Sequence, residues 1–211
     1  GIPDVADAGL PGAADAGTAL VSWSGSMFEY LMPLLVMQSF PFTLLDQTYR
    51  GAVKRQIAYG AGRGVPWGIS ESAYNVRDRN MTYQYRGFGV PDLALKRGLG
   101  KELVIAPYAT MLAVMVDPHA SLANARTLER EFGALGPFGF REALDYTRPA
   151  GGTGGDGTAQ GIAAPGSPAI VGSYFAHHVG MGLVALTNVL LKNAWQRRFH
   201  ADPMVRSAEL I

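Results

Sequence analysis

The residue types that could carry chemistry concentrate in one stretch, Gly64 to Pro91, which reads GVPWGISESAYNVRDRNMTYQYRGFGVP. It gathers Trp67, Glu71, Tyr74, Asn75, Tyr83, Gln84 and Tyr85 between glycines and prolines too frequent for a single helix. A polar, aromatic loop between apolar helices is how a scaffold presents a site. These types suit a sugar: flat aromatic rings cover the C–H face of a pyranose, amides bind its hydroxyls, and a carboxyl handles protons. Any one of these aromatics taken alone is more simply a core residue.

A second polar-aromatic run, Phe138 to Tyr146, carries Glu142 and Asp145. Glycosidic cleavage needs two carboxyl groups held in unlike protonation states. Glu71, Glu142 and Asp145 all lie in aromatic-rich breaks, and the aromatic neighbours of Glu71 and Glu142 would favour a protonated acid. Glu29 and Asp78 are further candidates, and Glu29 serves equally well as a helix-capping residue. The adjacent His177 and His178 sit about 100° apart on a helix, whereas two ligands on one face need i, i+4 spacing. One histidine is expected to face the site and the other to pack. Neither a metal nor a cofactor is implied. There is no G-x-x-x-x-G-K-[ST] loop and no G-x-S-x-G elbow, so nucleotide-phosphate binding and serine hydrolysis lack support.

Composition narrows the partners. A net charge of +1 gives nucleic acid no electrostatic attraction, and without cysteine there is no disulfide framework or thiolate metal site. At 48% hydrophobic and 17% charged residues, the chain suits a large core or a face turned to another domain. No apolar run reaches the length of a membrane span.

The elements that must position these residues read as helices. Residues 1–19 are Gly, Ala, Asp and Pro without period, and are expected to form a flexible arm or linker. Helices are expected at about 27–38, interrupted or delayed by Pro33, and then at 44–61, 107–116, 118–132, 170–192 and 195–200. A last one follows Pro203. Residues 148–168 are expected to be a flexible insertion. With almost no strand pattern, the fold class is all-α.

Several runs taken in order are more specific than any one. SWSGSMFEYLMPLL (22–35), GVPWGISESAYN (64–75), YQYRGFGVPDLAL (83–95), VIAPYATMLAVMV (104–116), GFREALDY (139–146) and AHHVGM (176–181) strongly resemble the glycoamylase-like cyclisation domain of cyclic β-1,2-glucan synthases. The resemblance runs from about residue 19 to 211. It implies an (α/α)6 toroid, of which this chain holds the C-terminal part, within a large bacterial inner-membrane synthase, the domain itself being cytoplasmic. It implies closure of linear β-1,2-glucan by retaining transglycosylation, with the other synthase domains as partners. Hydrolysis of the same glucan and a non-catalytic sugar-binding or scaffold role are the alternatives. On this reading Glu71 and Glu142 are catalytic and face one cleft, with Trp67 and a tyrosine on its wall. Trp67, Tyr74, Asn75, Tyr83, Gln84, Tyr85, Asp145, His177 and His178 bind substrate.

Overall fold

Ser26 and Thr43 open the first two helices by the same device, a hydroxyl oxygen that accepts a free backbone N–H of the first turn. Ser26 accepts from the Glu29 N–H at the start of α1 (Met27–Leu31), and Thr43 from the Asp46 N–H at the start of α2 (Leu44–Arg63). Pro33 cannot continue α1, and the chain tightens into a 3-10 turn at Pro33–Leu35. Gly64 ends α2 in the left-handed region, at φ 65°, with its N–H returned to Ala61 and that of Val65 to Gly60. The computed structural model describes residues 19–148 and 167–209. The expected arm at 1–19 and insertion at 148–168 fall outside them, except for Ala19, Arg148, Ser167 and Pro168.

After α2 the chain runs extended without a strand beside it, and two amide side chains take the place of that strand. Gln56 of α2 accepts the Ile69 N–H and donates to the Ile69 carbonyl, both at 2.8 Å. Asn124 does the same for Trp67, at 3.2 and 2.8 Å. Gly60 lets this run lie against the helix, since a Cβ there would sit 2.8 Å from the Trp67 Cβ. The chain then forms a hairpin, β1 (Ser72–Arg77) with β2 (Tyr83–Arg86), where the loop reading had placed none. Asp78 holds the turn, accepting the N–H groups of Asn80 and Thr82 at 2.9 Å.

β3 (Val104–Ile105) leads into α3 (Pro107–Ala113), which is buried on nearly every side. Asp117 caps α4 (Pro118–Arg130) through the Ala120 N–H, with Pro118 at the first helical position. Four short strands follow: β4 (Leu135–Gly136), β5 (Gly139–Phe140), β6 (Ala143–Asp145) and β7 (Ala169–Val171). β4 and β5 form a small hairpin, and β6 lies between β3 and β7 in an antiparallel sheet. α5 (Ala176–Leu190), α6 (Ala194–His200) and α7 (Pro203–Ala208) complete the chain.

The final long helix was expected from Ile170. Residues 169–171 are instead β7, because Val171 and Ala169 fill buried positions beside β6 and Gly172 separates them from α5. The class stands as read: helix makes up 47% of the described residues and the sheets are small. The main core joins Met27, Leu31, Val53, Ile69, Ile105, Leu112, Leu144 and Val171. That puts the Glu71 segment directly on the rigid centre. Among the described residues, no helix is long and apolar enough to cross a membrane.

Candidate active site

Ser70 and Glu71 sit where the extended run enters β1. Tyr108 of α3 fixes them: its hydroxyl lies 2.8 Å from the Ser70 Oγ and donates to the Glu71 carbonyl at 2.9 Å. Ser70 in turn accepts the Phe28 N–H of α1. The Glu71 backbone is therefore held by two helices while its side chain stays partly open.

Strand alternation distributes the tyrosines of the hairpin. Tyr85 pairs with Ala73, whereas Tyr74 pairs with Gln84 and so projects from the other face. Tyr85 donates to Glu71 Oε1 at 2.9 Å, and its oxygen is 3.3 Å from His178 Nε2. His178 Nδ1 is 3.0 Å from the Glu142 carboxyl, which also accepts the Ala73 N–H at 3.1 Å. Glu71, Tyr85, His178 and Glu142 thus form one continuous hydrogen-bonded chain, from a partly open carboxyl to a buried one.

Rings enclose it. Tyr108 stacks on His178, and Phe175 lies parallel to Tyr85 with centroids 5.5 Å apart. His177 is exposed beside Phe175 and His178. Burial, then the Glu71 hydrogen bond and charge, then the Glu142 charge push the Tyr85 phenol well above its ordinary range, so it stays protonated. Burial, joined by His178, lowers the pKa of His177, against weaker opposing effects of Glu142 and Glu71.

An apolar cavity of about 230 Å³ opens beside His178 and Glu142, lined also by Tyr108, Met111, Leu183 and Leu186. A cavity of about 210 Å³ near Asp46, Arg50 and Asn193 includes none of the site residues.

The structure brings together Glu71, Tyr85, His177, His178 and Glu142, and separates others that the sequence grouped with them. Glu142 was expected as the second reacting carboxyl. It is 3% exposed, and its carboxyl accepts the Ala73 N–H and meets His178 Nδ1. Trp67 was expected on the cleft wall and is 7% exposed within the core, because Asn124 pins its backbone inward. Tyr74 has the Arg86 and Arg148 guanidinium groups over its ring, at 5.3 and 4.7 Å from the centroid, and the edge of Phe88 against it. It is not a free platform.

Asp145 was expected at the substrate; it is fully buried and clamps backbone. It accepts the N–H groups of Asn75, Thr147 and Arg148 and pairs with the Arg148 guanidinium. Arg148 is therefore pinned rather than part of the insertion to which the sequence reading assigned it. Asn75 donates its side-chain N–H to the Arg148 carbonyl. Tyr83 bonds to Arg77 and lies under that guanidinium, and Gln84 donates to the Thr82 carbonyl at 3.4 Å.

Glu29 proves to be a local brace, accepting from the Ser22 hydroxyl at 2.6 Å and from the Ser24 N–H. Burial acts to raise its pKa, but the hydrogen bonds from Ser22 and Ser24 outweigh it and hold the carboxyl below its usual range. The sequence reading missed Tyr108 and Phe175. Phe175 stands two residues before His177, which was its only signal, and Tyr108 was hidden in an apolar helix.

Residues 11–203 match the family model described as "Putative glucoamylase", and the chain belongs to that family. Over 193 residues it is 51% identical to cyclic beta-(1,2)-glucan synthase NdvB of Rhizobium meliloti (strain 1021). That match takes in 92% of this chain and 6% of the synthase. The fold resembles that of a solved putative glucoamylase from Bacteroides uniformis, at TM-score 0.55 and 18% identity, over 90% of this chain and 43% of the other. An endo-beta-1,2-glucanase from Chitinophaga pinensis matches at TM-score 0.55 and 14% identity, over 88% and 40%. These solved relatives are helical toroids, and the chain has a fold of that type while spanning less than half of their length. Its family marks it as a carbohydrate-active domain.

Proposed function

We propose that this chain supplies one wall of a cleft that cyclises linear β-1,2-glucan by retaining transglycosylation, with Glu71 as its acid/base carboxyl. The observation that carries this is the placement of Glu71: partly open, on a backbone fixed by Tyr108, and hydrogen-bonded to Tyr85 beside Phe175 and His177. A carboxyl that protonates a leaving oxygen must be both reachable and held still, and Glu71 is both. Tyr85, Phe175 and His177 form the adjoining aromatic surface for a sugar ring. The synthase named in the sequence match supports the glucan and the cyclising outcome. Glu142 acts behind the surface, orienting His178. In the full-length gene product the domain works with the chain-building domains of an inner-membrane synthase and faces the cytoplasm.

Linear β-1,2-glucan incubated with the full-length gene product and with the 211-residue chain separates the readings. Rings formed without new reducing ends support transfer. Reducing ends that accumulate with time would make the domain a glucanase, and unchanged glucan from the full-length product would leave a sugar-binding scaffold.

A further inference from the structure

The hydrogen-bonded chain behind Glu71 contains three contacts, and each needs one proton. An ionised carboxylate only accepts, so with Glu142 ionised His178 Nδ1 carries hydrogen toward it. Tyr85 has one hydroxyl proton and two acceptors in reach, Glu71 Oε1 at 2.9 Å and His178 Nε2 at 3.3 Å. Two arrangements satisfy every contact. In one, Glu71 is ionised and accepts from Tyr85, while the Tyr85 oxygen accepts from Nε2–H of a doubly protonated His178. In the other, Glu71 is protonated and donates to the Tyr85 oxygen, Tyr85 donates to Nε2, and His178 is neutral. Both hold the same number of protons and the same net charge.

We infer that Glu71, Tyr85, His178 and Glu142 form a proton relay, which moves one proton between the Glu71 carboxyl and the His178 ring through the Tyr85 phenol. In the step that loads Glu71, the His178 Nε2–H bond breaks as a Tyr85 O–H bond forms. The original Tyr85 O–H bond breaks as the Glu71 O–H bond forms. No electrons leave the chain, and the buried Glu142 carboxylate stabilises the imidazolium of the other arrangement. Tyr108 keeps the imidazole in the plane the relay needs, with centroids 3.7 Å apart and rings 10° from parallel. The titratable groups facing His178 are Glu71 and Tyr85 from the hairpin segment, Tyr108 from α3, Glu142 ahead of β6, and His177 on its own helix. A store of this kind fits transglycosylation, where Glu71 must be protonated as the donor sugar arrives and water is best kept away. Tyr85, His178 and Glu142 are thus positioning residues for Glu71, and the proposal rests on the reading of Glu71 as the acid/base group.

The test reads the relay without activity, so a chain that leaves glucan untouched still answers it. Long-range proton–nitrogen spectra of the full 211-residue chain distinguish the neutral Nδ1–H ring from the imidazolium, with the two neighbouring rings assigned through His177→Gln. In the resting chain the relay holds its proton on His178 and Glu71 is ionised, so Glu71→Gln should move His178 to the neutral Nδ1–H form. In a Tyr85→Phe background the same change at Glu71 should move it by a small fraction of that shift. An equal shift in both backgrounds, or none in either, overturns the relay. Wild-type titration is the second measurement and needs no variant: the Glu71 carboxyl carbon and the His178 ring nitrogens should move with shared midpoints. Separate midpoints overturn it as well.

Discussion

His178 lies face to face on Tyr108, with ring centroids 3.7 Å apart and planes within 10°. One side chain of the buried helix α3 thereby sets both the imidazole plane and, through its hydroxyl, the backbone of Glu71. Tyr108→Phe should keep the stack and lose only the hydroxyl. The expected destabilisation is about 1–3 kcal/mol, the range for leaving a buried polar partner unsatisfied. Denaturant unfolding at constant slope checks it, and a neutral result would mean that water replaces the hydroxyl.

Asp145 ties β6 to β1 and to Arg148 from a fully buried position. Asp145→Ala should cost about 3–5 kcal/mol, because the Asn75, Thr147 and Arg148 N–H groups lose their acceptor at about 1–3 kcal/mol each, while the Arg148 guanidinium keeps its pair with Glu102. Thermal unfolding measures this loss. A drop below 1 kcal/mol would show that the clamp is dispensable.

Gln56 and Asn124 stand in for an absent strand along Trp67–Ile69. Gln56→Met keeps the volume and strands the Ile69 N–H, for about 1–3 kcal/mol, while the Ile69 carbonyl keeps the Met27 N–H. Amide exchange should accelerate at Ile69 more than at Val104. Unchanged exchange at Ile69 would refute the pinning.

Glu29 gives a pH signature of its own. Its carboxyl is held below the usual range in the folded chain, so the folded state binds the proton less readily than the unfolded one. That contribution is complete above the ordinary carboxylate range and disappears as pH falls through the folded value. Glu29→Gln should therefore destabilise the protein at neutral pH and converge with wild type in acid. A constant difference across pH would contradict the assignment.

The helices and their ends were legible because caps and breakers act locally: Thr43, Pro33, Gly64 and Asp117-Pro118 each appear where the chain turns. The strands were not. β3 and β6 are two and three residues long, too short for alternation to register, and each is defined by a partner distant in sequence. The same limit governs the site. Glu71 and the histidine pair were marked by residue type, but the division of the tyrosines depends on a hairpin register that turns Tyr85 toward Glu71 and Tyr74 away. Glu142 looked equivalent to Glu71 because sequence shows the carboxyl without the Ala73 N–H and His178 that occupy it.

The role of Glu71 is tested most directly by leaving-group dependence in the Glu71→Gln variant of the full-length gene product. An acid that protonates the departing oxygen matters for a sugar leaving group and little for an acidic phenol. On linear β-1,2-glucan the variant should lose roughly 10²–10⁴-fold in rate, the usual contribution of general acid catalysis. With an aryl β-1,2-gluco-oligosaccharide, glycosyl-enzyme formation should stay close to the wild-type rate. Equal loss on both substrates, or full activity on the glucan, would contradict Glu71 as the acid/base carboxyl.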